Sequence, residues 1–182
     1  MVSPTPFVAE LAAARIGETF NQYAEGPRAS LLRRRLVGYL ESRADAPVML
    51  VGEAPGYRGA RVSGIPFTSE RQLTGSGHAE ATATVVHRVL RELAIEEQVL
   101  LWNVVPTHPG TKTTNRRPSR SEVAAGLGFV RALTQGRSVV AVGRVAESAL
   151  GLPGLRHPAH GGAEAFRSGL SLVTSTDVQR CL

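Results

Sequence analysis

The sequence contains one cysteine, Cys181, in 182 residues. That excludes an internal disulfide framework, a four-cysteine zinc site and an all-cysteine iron–sulfur cluster. No stretch approaches the roughly 18 consecutive apolar residues that a membrane-spanning helix needs. The opening residues, MVSPTPFVAELAAAR, lack a basic segment followed by an apolar run, so they do not read as a secretory signal. There is no internal repeat and no low-complexity run. No G-x-G-x-x-G or P-loop motif occurs. Lysine is nearly missing as well: of 21 basic residues only Lys112 is a lysine, and the others are arginines.

What remains is the composition of a globular domain, 42% hydrophobic and 20% charged with mean hydropathy −0.05. The length suits one domain, residues 1–182, with residues 1–29 as an N-terminal arm. The expected compartment is the cytoplasm, and no membrane partner is expected. Basic residues outnumber acidic ones 21 to 15, for a net charge of +6 and a pI near 10.6. An excess of this size points to a nucleic-acid partner. Arginine's planar fork suits phosphates and base edges. A GC-rich genome explains the preference for Arg over Lys equally well, but not the net excess.

Hydrophobic patterning alternates between two periods. Val48 to Val51 is a short continuous apolar run that reads as a buried parallel strand, and Val99 to Val105 and Ser138 to Val142 read as the second and third strands. Between them lie helical patterns. One runs from a Ser30 cap to about Arg43. Another covers about His78 to Ala94, with Ala81, Val85, Val89 and Leu93 as its apolar stripe. A third opens at Ser119 and Glu122, which stand at capping-box spacing. A short helix should follow Gly143 and end near Leu150, and Leu170 to Val173 should close the sheet. The pattern predicts a three-layer α/β/α sandwich around a four-stranded, mainly parallel sheet. Ligands of such sheets sit beyond the carboxyl ends of the strands. The loops expected there are Gly52–Ser69, Pro106–Pro118 and Gly151–Gly162.

Chemistry-bearing residues gather in those loops. Glu53 closely follows the first strand and reads either as a base or charge stabiliser or as a cap of nearby amides. Phe67, between Pro66 and Thr68, reads as a stacking platform or as a ring folded back on the core. Asn103 is an amide inside an apolar strand, costly unless paired. It can pair with backbone or present a donor and an acceptor to a ligand. His157, fixed by Pro158, reads as an electrophile or as a surface histidine. Gly75-Ser76-Gly77 before a helix supports a phosphate-binding Rossmann domain only faintly.

In combination and order these segments resemble the uracil-DNA glycosylase superfamily, most closely its thermophile-type family-four enzymes. The matching stretches are GEAPG at Gly52–Gly56, GIPF at Gly64–Phe67, WNVVP at Trp102–Pro106, Asn115-Arg116-Arg117-Pro118 and His157-Pro158-Ala159. The resemblance covers about Val48 to Gly162. It implies that Glu53 would activate water or stabilise the sugar cation. Phe67 would stack on a flipped base, and Asn103 would bond the uracil edge. His157 would donate to the oxygen that gains charge as the bond breaks. Gly52, Ala54, Pro55 and Gly56 would line the base pocket. Arg58, Arg116, Arg117, Arg156 and His160 are the candidate DNA contacts. The implied partner is uracil-containing DNA, single- or double-stranded. The protein is expected to be a monomer needing neither metal nor organic cofactor.

The chain also departs from that pattern. The four cluster cysteines are missing. Tyr57-Arg58-Gly59 replaces the acidic pair that usually follows GEAPG. Other branches of the superfamily place an aromatic residue near this turn to block the thymine methyl. Here Gly56 stands there, with Tyr57 the candidate substitute, so tolerance of thymine is expected. Gly161-Gly162 replaces a hydrophobic wedge, which predicts weak product retention or a preference for single strands. Thr111 to Arg120 holds no histidine for covalent capture; His108, nearer the strand, is the alternative. Two other functions stay open: a non-catalytic DNA- or base-binding protein, and a nucleoside or nucleotide hydrolase.

Overall fold

A computed structural model describes residues 2–159 and 161–180, the last six as backbone only. The sheet has four strands in the order β2-β1-β3-β4: β1 (Val48–Gly52), β2 (Val99–Asn103), β3 (Ser138–Val142) and β4 (Gly154–Leu155). Every pairing is parallel. Strand side chains alternate between two cores. Met49 and Val51 face one layer with Leu100 and Trp102, and Val48 and Leu50 face the other with Val99 and Leu101. The first core is covered by α1 (Pro4–Ala13), α2 (Ala29–Ser42), α6 (Arg120–Leu133) and α7 (Arg144–Leu150). The second is covered by α5 (Ala81–Glu92) and α8 (Ala163–Arg180). The chain is thus the expected α/β/α sandwich. Among the described residues no helix is long and apolar enough to cross a membrane.

Several elements differ from the sequence reading. The closing strand expected at Leu170 to Val173 lies inside α8, and the fourth strand is Gly154–Leu155, within an expected loop. The fully buried Phe166 and Leu170 stand four residues apart, a helical spacing that outweighs a short apolar run. Helix α2 starts at Ala29 rather than after Ser30. Helix α5 starts at Ala81, and Ala83, Val86, Val89 and Leu90 carry its buried face. The loop after β1 contains two unforeseen short helices, α3 (Ala60–Ser63) and α4 (Glu70–Thr74).

Residues 2–29 pack against the core rather than forming an arm. The Phe7 ring lies 5.6 Å from Trp102 and 5.7 Å from Phe129, centroid to centroid. Asn21 Nδ2 donates to the carbonyls of Leu11 and Ala14 at 2.9 and 3.0 Å, satisfying the end of α1. Tyr23 is buried and its hydroxyl donates to Gly64 O at 2.9 Å. Gln22 Nε2 reaches Pro106 O at 2.9 Å. These bonds tie the N-terminal segment to the loops that follow β1 and β2.

Candidate active site

Strands β1 and β2 end level, with Gly52 beside Asn103. The ladder continues one step further: Val104 N–H donates to Gly52 O at 2.8 Å and Val105 N–H to Glu53 O at 3.0 Å. This fixes the backbone of Glu53 at the carboxyl edge of the sheet. A hollow of about 220 Å³ opens there, and Glu53, Phe67, Asn103 and His157 all line it. Ala54, Pro55 and Gly56 form part of its wall.

Gly52 is required by close approach. A Cβ at that position would strike the Phe67 ring and stand 3.1 Å from Asn103 Oδ1. Phe67 itself has φ 53°, a left-handed conformation that costs a non-glycine residue about 1–3 kcal/mol. Its neighbours hold it there. Thr68 Oγ1 donates to Pro66 O at 3.0 Å and lies 3.0 Å from His87 Nε2. Ser63 Oγ donates to Thr68 O at 2.6 Å. The sequence reading missed Ser63, Thr68 and His87, because polar residues in a loop carry no positional signal.

Asn103 is 3% exposed, and among the described residues its side-chain amide meets no hydrogen-bond partner. The amide lines the hollow and is left to present a donor and an acceptor to a ligand there. Burial raises the Glu53 carboxyl above its ordinary value, and the charge of Arg117 works against that rise. The exposed His157 accepts a hydrogen bond at Nδ1 from Ala159 N–H at 3.2 Å. The neutral ring therefore carries its proton on Nε2. Glu53 and His157 also border an adjoining hollow that Arg117, Gly143 and Arg144 help to line.

The other candidate residues take varied places. Arg58 stacks on the Tyr57 ring at 5.2 Å. Tyr57, the candidate substitute wall, is instead anchored through its N–H to Asn115 Oδ1 at 2.9 Å and does not line the hollow. Arg156 is exposed beside His157, while His160 lies outside the described residues. Away from the hollow, Arg33 and Arg35 of α2 bond Tyr23 O and the Glu70 carboxylate. His108 is fully buried, with Nδ1 2.7 Å from Pro55 O and Nε2 2.8 Å from Thr111 O. It clamps two loops together and has no access to a substrate, which corrects its reading as the covalent alternative.

Arg116 lines the hollow but commits its guanidinium to Glu122, at 2.6 and 2.7 Å. Glu122 also closes the expected capping box: its carboxylate accepts from Ser119 N–H at 2.8 Å and from Glu18 N–H at 3.1 Å. These partners lower its pKa from 4.5 to about 2, the Arg116 hydrogen bonds contributing most. The stabilisation is therefore present above pH 4.5 and is lost as pH falls toward 2. Glu122→Ala is expected to cost about 2 kcal/mol through the lost cap and the lost charge-assisted hydrogen bonds, read as a lower urea midpoint at pH 7. The variant should also be less sensitive to acid over that interval than the parent.

Open parallel sheets bind ligands beyond their strand ends, and this hollow places the chain among such ligand-binding α/β/α proteins. Its stacking ring and partnerless amide suit a flat ligand with a polar edge. Residues 40–176 match the family model described as the uracil DNA glycosylase superfamily, and the chain belongs to that superfamily. Its members are glycosylase hydrolases that act on DNA in repair. No curated protein matches the chain by sequence. Among solved structures it is similar to wild-type SMUG2 of Pedobacter heparinus, at TM-score 0.69 and 14% identity, over 96% of this chain and all of the other. At that identity the likeness is one of fold.

Proposed function

We propose that the protein is a monofunctional glycosylase that hydrolyses the N-glycosidic bond of uracil, and of other deaminated bases, in DNA. It would begin base excision repair, acting as a cytoplasmic monomer. The observation that carries this reading is the convergence of Glu53, Phe67, Asn103 and His157 on one hollow at the strand ends. Each supplies a function the reaction needs. Breaking the C–N bond builds positive charge on the sugar and negative charge on the departing base. Glu53, as a carboxylate, stabilises the sugar cation and takes the proton of the attacking water. The water oxygen bonds to the sugar carbon, and the electron pair of the broken bond leaves with the base. His157 donates its Nε2 hydrogen to the base oxygen where that charge collects. Phe67 stacks on the face of the extruded base, and Asn103 offers it a donor and an acceptor. Water is the only co-reactant. The net charge of +6 favours binding to the phosphates.

Release of free uracil from a labelled oligonucleotide tests the reading. Release from deoxyuridine, with none from DNA, reassigns the site to nucleoside hydrolysis. Binding of uracil-DNA without release reassigns it to recognition alone.

Gly161 and Gly162, which stand where the resemblance places a hydrophobic wedge, carry no side chain to fill the gap left by an extruded base. Product release is therefore expected to be fast, with single-stranded uracil removed at least as readily as paired uracil. Pre-steady-state time courses should show no burst. A burst followed by slow turnover would contradict this.

A further inference from the structure

The hollow has a second carboxyl that the mechanism does not use. Glu80 stands just before α5, far in sequence from the loop it meets. Its carboxyl sits against Gly56 and Gly59. A Cβ built on Gly56 would stand 3.0 Å from Glu80 Cδ, and one on Gly59 would stand 2.8 Å from it. Side chains at these two positions would thus collide with the carboxyl, and their absence makes its seat. Among the described residues no hydrogen bond or ion pair reaches the Glu80 carboxyl. Burial accordingly raises its pKa, with no cation to oppose the rise. A half-buried carboxyl that lines the hollow and has no protein partner is available to whatever occupies the hollow.

Its position within the hollow is informative. Glu53 and His157 border both the main hollow and the adjoining one, whereas Glu80 and Thr82 line the main hollow alone. If the reacting bond lies at Glu53 and His157, as the proposed function requires, the base extends from there toward Glu80. In a pyrimidine joined through N1, the edge remote from that bond includes C4 and C5, and C5 carries the methyl group of thymine.

We propose that Glu80 is a specificity-determining residue: its carboxyl, seated over Gly56 and Gly59, forms the wall that meets the C4–C5 edge of the base and excludes a C5 substituent. Gly56 lacks a side chain that could do this, and Tyr57 does not line the hollow. Glu80 reaches in from another element and fills the space. The tolerance of thymine expected from a bare Gly56 is therefore replaced by exclusion.

The test compares excision of uracil and of thymine, each opposite guanine, by the parent, Glu80→Ala and Glu80→Gln. Free uracil and free thymine are also titrated into each protein and followed by NMR. The Ala variant should raise the thymine-to-uracil ratio by about 10-fold or more, within the span that one methyl group commands in a pocket. The Gln variant, which preserves the wall, should retain the parent ratio. A merely structural role for Glu80 would lower both activities together and leave the ratio unmoved. An unchanged ratio in the Ala variant, with uracil still removed, overturns the inference and leaves the glycosylase reading intact. If the parent removes neither base, but the Ala variant gains binding of free thymine relative to uracil, the wall stands and the glycosylase reading falls. If neither base is bound or removed, both fall.

Discussion

Glu53→Gln should reduce uracil excision by roughly 10²–10⁴-fold, the usual contribution of a positioned general base. The substitution keeps the shape of the side chain and its place after β1 and removes only its ability to carry charge and accept a proton. Two further readouts follow from the raised pKa of Glu53. Activity requires the ionised form, so kcat/KM of the parent should rise with pH through a midpoint above 4.5, the ordinary value for this carboxyl. The residual activity of the Gln variant should lack that limb. The sign for stability is opposite. The folded state holds the proton more tightly than the unfolded chain, so ionisation of Glu53 lowers stability as pH rises from 4.5 to the folded value. At pH 7 the Gln variant should therefore melt no lower than the parent. Lost activity with retained or improved melting temperature separates chemistry from folding. A parallel fall of both would make Glu53 a structural residue.

His157→Ala should lower kcat by roughly 10²–10³-fold, the cost of removing one donor aimed at a developing oxyanion. The loss should appear in kcat with binding of uracil-DNA little changed, because the donor matters most as the bond breaks. The side chain is exposed, so its removal should leave the melting temperature close to that of the parent. Its orientation depends on local backbone: Ala159 N–H occupies Nδ1, and buried Pro158 fixes the turn between them. A comparable fall in affinity alone would make His157 a binding group and leave the charge on the base to some other donor.

Much of this arrangement is legible in the sequence because its signals are local. Strands β1, β2 and β3 are short, mostly apolar runs. The start of α6 is written in Ser119 and Glu122. Glu53, Phe67, Asn103 and His157 stand out because each is a costly or reactive residue in a segment that leaves a strand. The features that escaped depend on tertiary placement. Strand β4 is two residues long and too short to show a period. The buried Tyr23 and Gln22 lie in a stretch of mixed polarity, so their role in pinning two loops is invisible before folding. His87 reaches the strained Phe67 segment through Thr68, a contact between residues 19 positions apart. Glu80 is the sharpest case. Its only trace in the sequence is the small size of Gly56 and Gly59, which leaves a place for a side chain from elsewhere. Arg116 reads as a phosphate contact from its charge, yet its fork is directed at Glu122.

The account stands or falls on one experiment. Oligonucleotides carrying a single uracil, single-stranded or paired with guanine, are incubated with the parent, Glu53→Gln and His157→Ala, then treated with alkali to cut abasic sites. The account predicts strand cleavage by the parent on both substrates, with severe loss in both variants. Parent protein that leaves every uracil in place, or variants that cut as fast as the parent, would contradict it.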